Sequence, residues 1–251
     1  SDNRNNPLKV EQEKDFSDEH LLIKFIKENT GINFENQHAI FKSKLTSFCQ
    51  QRNINSFNAC LNRAVEDSHF KQELFNYFTT NETYFFREFQ QIETLVAQVV
   101  SRHDVVEIMC IPCSTGEEPY SISLALQEAG VPVDRFNILG LDIDTGAICR
   151  AKLGKFKQRS ISTLPVSLVD KYFSCRDGYY YLNDDIKTSV SFMAINLFDP
   201  AFSKLGEFDY VFSRNMLIYF DKNTKLKAKT ILNGVVKNKT AGVYYGHADL
   251  Y

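Results

Sequence analysis

The chain has 251 residues, with 31 acidic and 29 basic side chains and a formal net charge of −2. At roughly 150 residues per domain that length makes one large domain, or one medium and one small, and the near balance of charge excludes a protein built to coat nucleic acid, which needs a basic excess. The composition, 43% hydrophobic and 24% charged, is that of an ordinary soluble globular chain; no run approaches the ~18–20 apolar residues of a membrane span, and the polar start SDNRNNPLKVEQEK is not a secretory signal.

Up to about residue 80 the pattern is helical. Ser17 is placed to cap a helix whose first turn holds Asp18 and Glu19, with Leu21, Leu22, Phe25 and Ile26 as its apolar residues and Gly31 as its stop. A second helix carries Ile40, Phe41, Leu45, Phe48 and Cys49, with Lys42, Lys44 and Arg52 on its polar side. Ser56 starts a third, bearing Phe57, Cys60, Leu61 and Ala64. The cations read first as a solvated face and second as a surface for an acidic partner. From about residue 100 short apolar strands (105–111, 136–143, 208–215 and 241–246) alternate with helices (118–129, roughly 145–153, and a lysine-rich one at about 222–237). Such alternation predicts an α/β fold with a parallel sheet and helices on both faces. GYYYLNDDIKTSVSFMAIN (178–196) interrupts it with aromatic and β-branched runs broken by Asn-Asp-Asp, which predicts a small antiparallel β subdomain at about 176–194. The chain is thus expected to divide into a helical domain (1–80), a linker with a connecting helix (81–103) and an α/β domain (104–251).

In a doubly wound sheet, ligands bind at the carboxyl ends of the strands where strand order reverses. Three motifs fall there. Ser114-Thr115-Gly116-Glu117-Glu118-Pro119 leaves the first strand and enters a helix; Gly116 permits close backbone approach, and two acids at the turn would repel a pyrophosphate but suit hydroxyls or a cation. Equally, the acids serve the helix dipole. Asp142-Ile143-Asp144 ends the second strand; Asp142 is placed to accept ribose hydroxyls, Asp144 to cap the next helix. Ser213-Arg214-Asn215-Met216-Leu217-Ile218-Tyr219 leaves the third strand, and a buried Arg-Asn pair there needs a partner for every donor. Upstream, Asn81-Glu82-Thr83-Tyr84-Phe85-Phe86-Arg87-Glu88 is either a packing hinge or a lid over a cofactor.

Together NETYFFRE, STGEEPYSI, LDIDT, the INL of residues 195–197, SRNMLIYFDK and the terminal GHADLY resemble, in order and over roughly residues 20–251, the chemoreceptor glutamate O-methyltransferases, the CheR family. The resemblance implies an all-α N-terminal domain, a Rossmann-like methyltransferase domain with a three-stranded antiparallel subdomain, S-adenosylmethionine as cofactor with S-adenosylhomocysteine as product, and glutamates on the cytoplasmic helices of chemoreceptors as acceptors. It implies that Asn81, Thr83, Arg87, Glu117, Asp142, Asn196, Leu197, Arg214 and Asn215 surround the cofactor, with Arg87 and Tyr219 nearest the transferred methyl and the incoming glutamate. Asn196 is alternatively a loop cap, and Leu197 plain core. The expected protein is a cytoplasmic monomer that neither enters a membrane nor binds nucleic acid. The family normally continues beyond GHADLY with a final turn and strand, so an incomplete sheet edge is expected at Tyr251.

Some residues fall outside the pattern. Six cysteines, Cys49, Cys60, Cys110, Cys113, Cys149 and Cys175, lie mostly in apolar segments and read as reduced, buried thiols. Cys110 and Cys113 make a C-x-x-C, but zinc would need further ligands, so no metal is expected and both read as small pocket-wall side chains. His247 reads as a satisfied histidine near the surface, alternatively as pocket lining. The competing functional classes are a non-catalytic module sensing S-adenosylmethionine or S-adenosylhomocysteine, and a methyltransferase acting on small molecules.

Overall fold

The computed structural model describes residues 13–34, 37–79, 82–239 and 241–250. The chain divides into two compact units, Ser1–Leu74 and Phe75–Tyr251. The first holds α1 (His20–Thr30), α2 (His38–Gln51) and α3 (Phe57–Glu66), and the division between the units falls within α4 (Ser68–Thr79). Leu22, Ile26, Phe41, Leu45, Phe48, Phe57 and Cys60 form its buried interior. Gly31, at φ 77°, ends α1, and Ser56 caps α3 by accepting from the Ala59 amide at 3.0 Å. Ser17 caps nothing: its amide and hydroxyl both donate to Asp15 Oδ1, at 3.1 and 2.6 Å, and α1 begins three residues later without a side-chain cap. A carboxylate two residues upstream outcompetes a helix end for that hydroxyl. The α2 cations are partly neutralised, Lys42 by Glu19 at 3.4 Å and Arg52 by Glu73 at 2.6 Å.

The second unit runs α5 (Phe89–Val100), β1 (Val106–Cys110), α6 (Glu117–Glu128), β2 (Phe136–Asp142), α7 (Thr145–Leu153), β3 (Lys155–Phe156), α8 (Gln158–Ile161), α9 (Val166–Tyr172), β4 (Phe173–Arg176), β5 (Tyr179–Leu182), α10 (Asp184–Lys187), β6 (Val190–Ala194), β7 (Tyr210–Ser213), α11 (Lys222–Asn233) and β8 (Val243–Tyr245). Its main sheet has the order β6-β2-β1-β7-β8 with every neighbour parallel. Both faces are buried. Ile108 and Cys110 join Ile92, Leu95 and Val99 of α5 and Tyr120 of α6 on one side, while Met109 and Val211 join Leu217, Ala228 and Leu232 on the other. Each such aliphatic side chain contributes about 1.5–3 kcal/mol by leaving water. The helix α5 is therefore part of this unit's core and not a free connector.

A separate antiparallel sheet, ordered β3-β5-β4, lies between residues 155 and 182. This corrects the expected position of the subdomain at 176–194: Val190–Ala194 is a strand of the main sheet, paired in parallel with β2 from Ile138↔Val190 to Asp142↔Ala194. The sequence misleads there because β6 is the edge of the sheet, and its exposed side chains imitate the alternation of an antiparallel ribbon. With β2 on one side of β1 and β7 on the other, the chain reverses direction of winding at β1, and a crevice opens at the carboxyl ends of these strands. No helix among the described residues is long and apolar enough to cross a membrane.

Candidate active site

Three loops and one strap build the crevice. Four of the six non-glycine residues at positive φ among the described residues fall in them: Phe86 (60°), Glu88 (47°), Ser114 (48°) and Asn215 (67°). Sparsely populated backbone of this kind persists only where surroundings enforce it, and it concentrates at functional sites.

Asp142 organises the first two loops. It is 3% exposed, and its two oxygens accept from the Ser114 amide at 2.8 Å and the Asp144 amide at 2.9 Å, which ties the β1–α6 turn to the end of β2. Burial pushes its pKa up to about 6, against the pull of those amides. Asp144 caps α7 by accepting from the Ala147 amide at 2.9 Å, the role expected for it. Gly116, at φ 95°, leads into α6, and a Cβ there would meet the Tyr120 ring at 3.0 Å.

Glu117 is 1% exposed, and the Thr115 hydroxyl donates to its carboxylate, at 2.9 Å for Oε2. Burial raises its pKa to about 7, with the Thr115 hydrogen bond and the Arg150 charge acting in the opposite sense. Because the unfolded carboxyl titrates near 4.5, the folded protein holds more protons between that value and about 7, and stability falls as pH rises through this window. Glu117→Gln is expected to flatten the decline of the ligand-free protein's urea midpoint between about pH 5 and about pH 7, a contribution on the order of 3 kcal/mol; Asp142 and Asp249, which burial also raises, contribute to the residual slope.

The strap, residues 82–88, is fixed by its two phenylalanines. Phe85 is fully buried, edge-on to Phe156 (4.9 Å) and Phe173 (5.5 Å), and its amide donates to the Ser160 carbonyl at 2.9 Å. Phe86 stacks on Phe89 at 4.0 Å, and its amide donates to Ser121 Oγ at 3.0 Å. Arg87 follows, half-buried, with Nη1 3.3 Å from the Glu82 carbonyl. Its guanidinium is near enough to Tyr219 to favour the phenolate, although burial dominates and pushes the Tyr219 hydroxyl upward, with help from Asp249. Arg87 and Tyr219, 132 positions apart in sequence, thus lie near enough for the charge of one to act on the hydroxyl of the other.

The β7 loop is held by residues that sequence reasoning overlooked. Arg214, 4% exposed, donates from Nε to Glu118 Oε2 at 2.6 Å and from Nη1 to the Glu88 carbonyl at 3.0 Å. Asp249, 2% exposed, accepts from the amides of Asn215 (2.6 Å), Gly246 (3.0 Å) and Ile218 (3.3 Å). A Cβ at Gly246 would lie 2.9 Å from Asn215 Oδ1, so the loop closes only over glycine. The only signal for Asp249 was its place in the terminal GHADLY; Glu118 stood next to a residue already chosen.

Thr83 borders a cavity with Thr115 and Glu117. Asn196 accepts from the Phe198 amide at 3.0 Å and Leu197 is 5% exposed in the core, so the loop-cap and core roles are both present there. Asn81 lies outside the described residues. Cys49, Cys60, Cys110 and Cys113 are buried and Cys149 and Cys175 exposed, all as free thiols. Burial pushes the thiols of Cys110 and Cys113 well up, which keeps them protonated and unreactive. The His247 side chain is exposed, and its amide donates to Glu88 Oε1 at 2.9 Å.

Among the described residues, five buried side-chain atoms have no hydrogen-bond partner: Glu88 Oε2, Gln91 Oε1, Glu118 Oε1, Ser213 Oγ and Tyr245 Oη. All belong to residues joined around Arg214 and the β7–β8 ends, where Gln91 Nε2 donates to the Tyr245 carbonyl at 2.8 Å and Ser213 pairs with Tyr245. Buried polar atoms are normally satisfied, and two carboxylate oxygens, one amide oxygen and two hydroxyls left unpaired together form a cluster able to take hydrogen bonds from a polar or cationic ligand.

Residues 17–79 match the family described as CheR methyltransferase, all-alpha domain, and residues 81–250 match CheR methyltransferase, SAM binding domain. The chain is 36% identical over 230 residues to a chemotaxis protein methyltransferase of Campylobacter jejuni, covering 91% of this chain and 87% of that one. It is 42% identical over 214 residues to chemotaxis protein methyltransferase 2 of Vibrio cholerae, covering 80% and 74%. Among solved structures, magnesium protoporphyrin IX methyltransferase of Synechocystis PCC 6803 with bound SAM is 17% identical at a TM-score of 0.32 over 64% of either chain, a likeness too slight to locate any residue. With a helical first unit, a parallel-sheet second unit whose strand ends carry the site, and family matches across both, the chain belongs to the CheR methyltransferase family, and its cofactor is S-adenosylmethionine.

Proposed function

We propose that the protein methylates glutamate side chains on the cytoplasmic helices of chemoreceptors, as a cytoplasmic enzyme of chemotaxis adaptation. The observation that carries this reading is the action of the Arg87 charge on the Tyr219 hydroxyl in a unit whose strand ends bury two acids, Glu117 and Asp142. The names of the relatives from Campylobacter and Vibrio support the chemotactic setting.

Glu117, Asp142, Asn196, Leu197, Arg214 and Asn215, together with Thr83 and Asn81, would hold S-adenosylmethionine, which supplies a methyl group activated on a sulfonium. The acceptor carboxylate is already ionised at neutral pH, so no strong base is required of the protein. Arg87 offers a fork of donors that anchors a carboxylate. Tyr219, kept protonated by burial, donates to one carboxylate oxygen and leaves the other to attack. The strap keeps water from a reaction in which opposite charges are neutralised, and holding the atoms in line lowers the barrier further.

Incubation with methyl-labelled cofactor and cytoplasmic receptor fragments is expected to yield base-labile, volatile label, measured as released methanol. Cofactor binding with no transfer to any fragment would instead identify a sensing module; transfer to small molecules alone would remove the protein acceptor.

A further inference from the structure

A cavity of about 650 Å³ opens at the strap. Thr83, Thr115 and Glu117 line it, and so do four cations, Arg150, Lys155, Lys157 and Arg159, all exposed. Two carboxylates stand against them. Glu117 is buried and raised to about 7, so it is ionised only in part at neutral pH. Glu82 pairs with Arg159 at 2.8 Å, but both side chains are about four-fifths exposed (80% and 81%), and such a pair is readily exchanged for another partner. Lys155 rests 4.0 Å from the Tyr179 ring centroid, which fixes its ammonium over the subdomain surface.

S-adenosylmethionine carries a sulfonium and an ammonium against a single carboxylate, so four cations at the rim oppose its entry on balance; the rim suits an anion that approaches the same cavity. Its cations are spread from α7 through β3 to α8 and stand in water, without the buried donor cluster that would clasp one small anion. An extended polyanion matches them better. Nucleic acid is a poor match for a chain whose net charge is −2.

We infer that Arg150, Lys155, Lys157 and Arg159 form a recognition rim for an acidic stretch of the polypeptide that carries the methyl-accepting glutamate. This rests on the protein-glutamate reading above. The rim acts through charge complementarity at the mouth of the cofactor cavity: it speeds encounter and lowers KM without touching the reacting atoms. Exposed charges separated by more than about 8 Å are screened at physiological salt, so the effect is salt-dependent.

The test uses the full chain, S-adenosylmethionine and an acidic cytoplasmic receptor fragment. In Lys157→Glu/Arg159→Glu, KM for the fragment is expected to rise about ten-fold, kcat to stay near wild type and the rise of KM with salt to disappear. Cofactor affinity, measured by calorimetry, stays equal or tightens, which also reports an intact fold. Lys157→Gln/Arg159→Gln gives an intermediate KM, and Lys204→Glu, an exposed charge reversal elsewhere, leaves KM unchanged. Normal transfer by wild type with an unaltered KM in both double variants, or an equal change in Lys204→Glu, overturns the rim alone. Wild-type protein that binds cofactor but methylates no fragment overturns the protein-glutamate reading and the rim with it.

Discussion

Arg87→Ala and Tyr219→Phe are each expected to lower methyl transfer about a hundred-fold while shifting stability by less than about 1 kcal/mol. Both side chains are only partly buried, and the Arg87 guanidinium donates a long hydrogen bond, 3.3 Å, to the Glu82 carbonyl. Little folding energy therefore depends on them. What they share is position: the charge of one reaches the hydroxyl of the other. A carboxylate placed between them gains a guanidinium fork and a phenol donor, and each donor aligns the attacking oxygen. Single-turnover rates with saturating receptor fragment, set beside denaturation midpoints, check the result. Wild-type-like ester formation in both variants defeats the assignment of these two residues.

The second large effect concerns the fold as much as the reaction. Arg214 and Glu118 form an ion pair at 2.6 Å with side chains 2% and 12% exposed. Removing either partner strands a charge in the interior, and Glu118→Ala or Arg214→Ala is expected to cost about 3–5 kcal/mol. The double variant Glu118→Leu/Arg214→Met takes both charges away and is expected to recover much of that loss, since desolvating the pair was itself costly. It is not expected to recover cofactor binding, because the acceptor oxygens and the clasp on the Glu88 carbonyl go with the pair. Urea midpoints of the three variants, with calorimetric titration of S-adenosylmethionine, separate the two roles. Full cofactor affinity in the double variant would make the pair purely structural.

Local chemistry was legible in the sequence and distant pairing was not. Ser56 and Asp144 cap the helices that follow them because the acceptor and the amide lie three residues apart. The strands β1, β2 and β7 read clearly because strands covered on both faces are continuous apolar runs. Strand β6 did not, since an edge strand exposes part of its surface and loses that signature. Ser17 failed for a related reason, its hydroxyl being taken by Asp15. The site was half visible: Asp142, Arg214 and Tyr219 stood out as polar groups leaving strands, whereas Glu118 and Asp249 acquire their importance from partners 96 and 34 positions away.

The strap is fastened through Phe85, a fully buried ring, and through the amides of Phe85 and Phe86. It does not swing as a rigid door. Opening it means breaking the hydrogen bonds of two backbone amides, one to the Ser160 carbonyl and one to the Ser121 hydroxyl, and lifting an aromatic side chain out of a packed interior, an event that belongs to the rarer, sub-global openings of a folded chain and not to loop fluctuation. The ease of that opening is then set by a phenylalanine that has no place in the proposed chemistry.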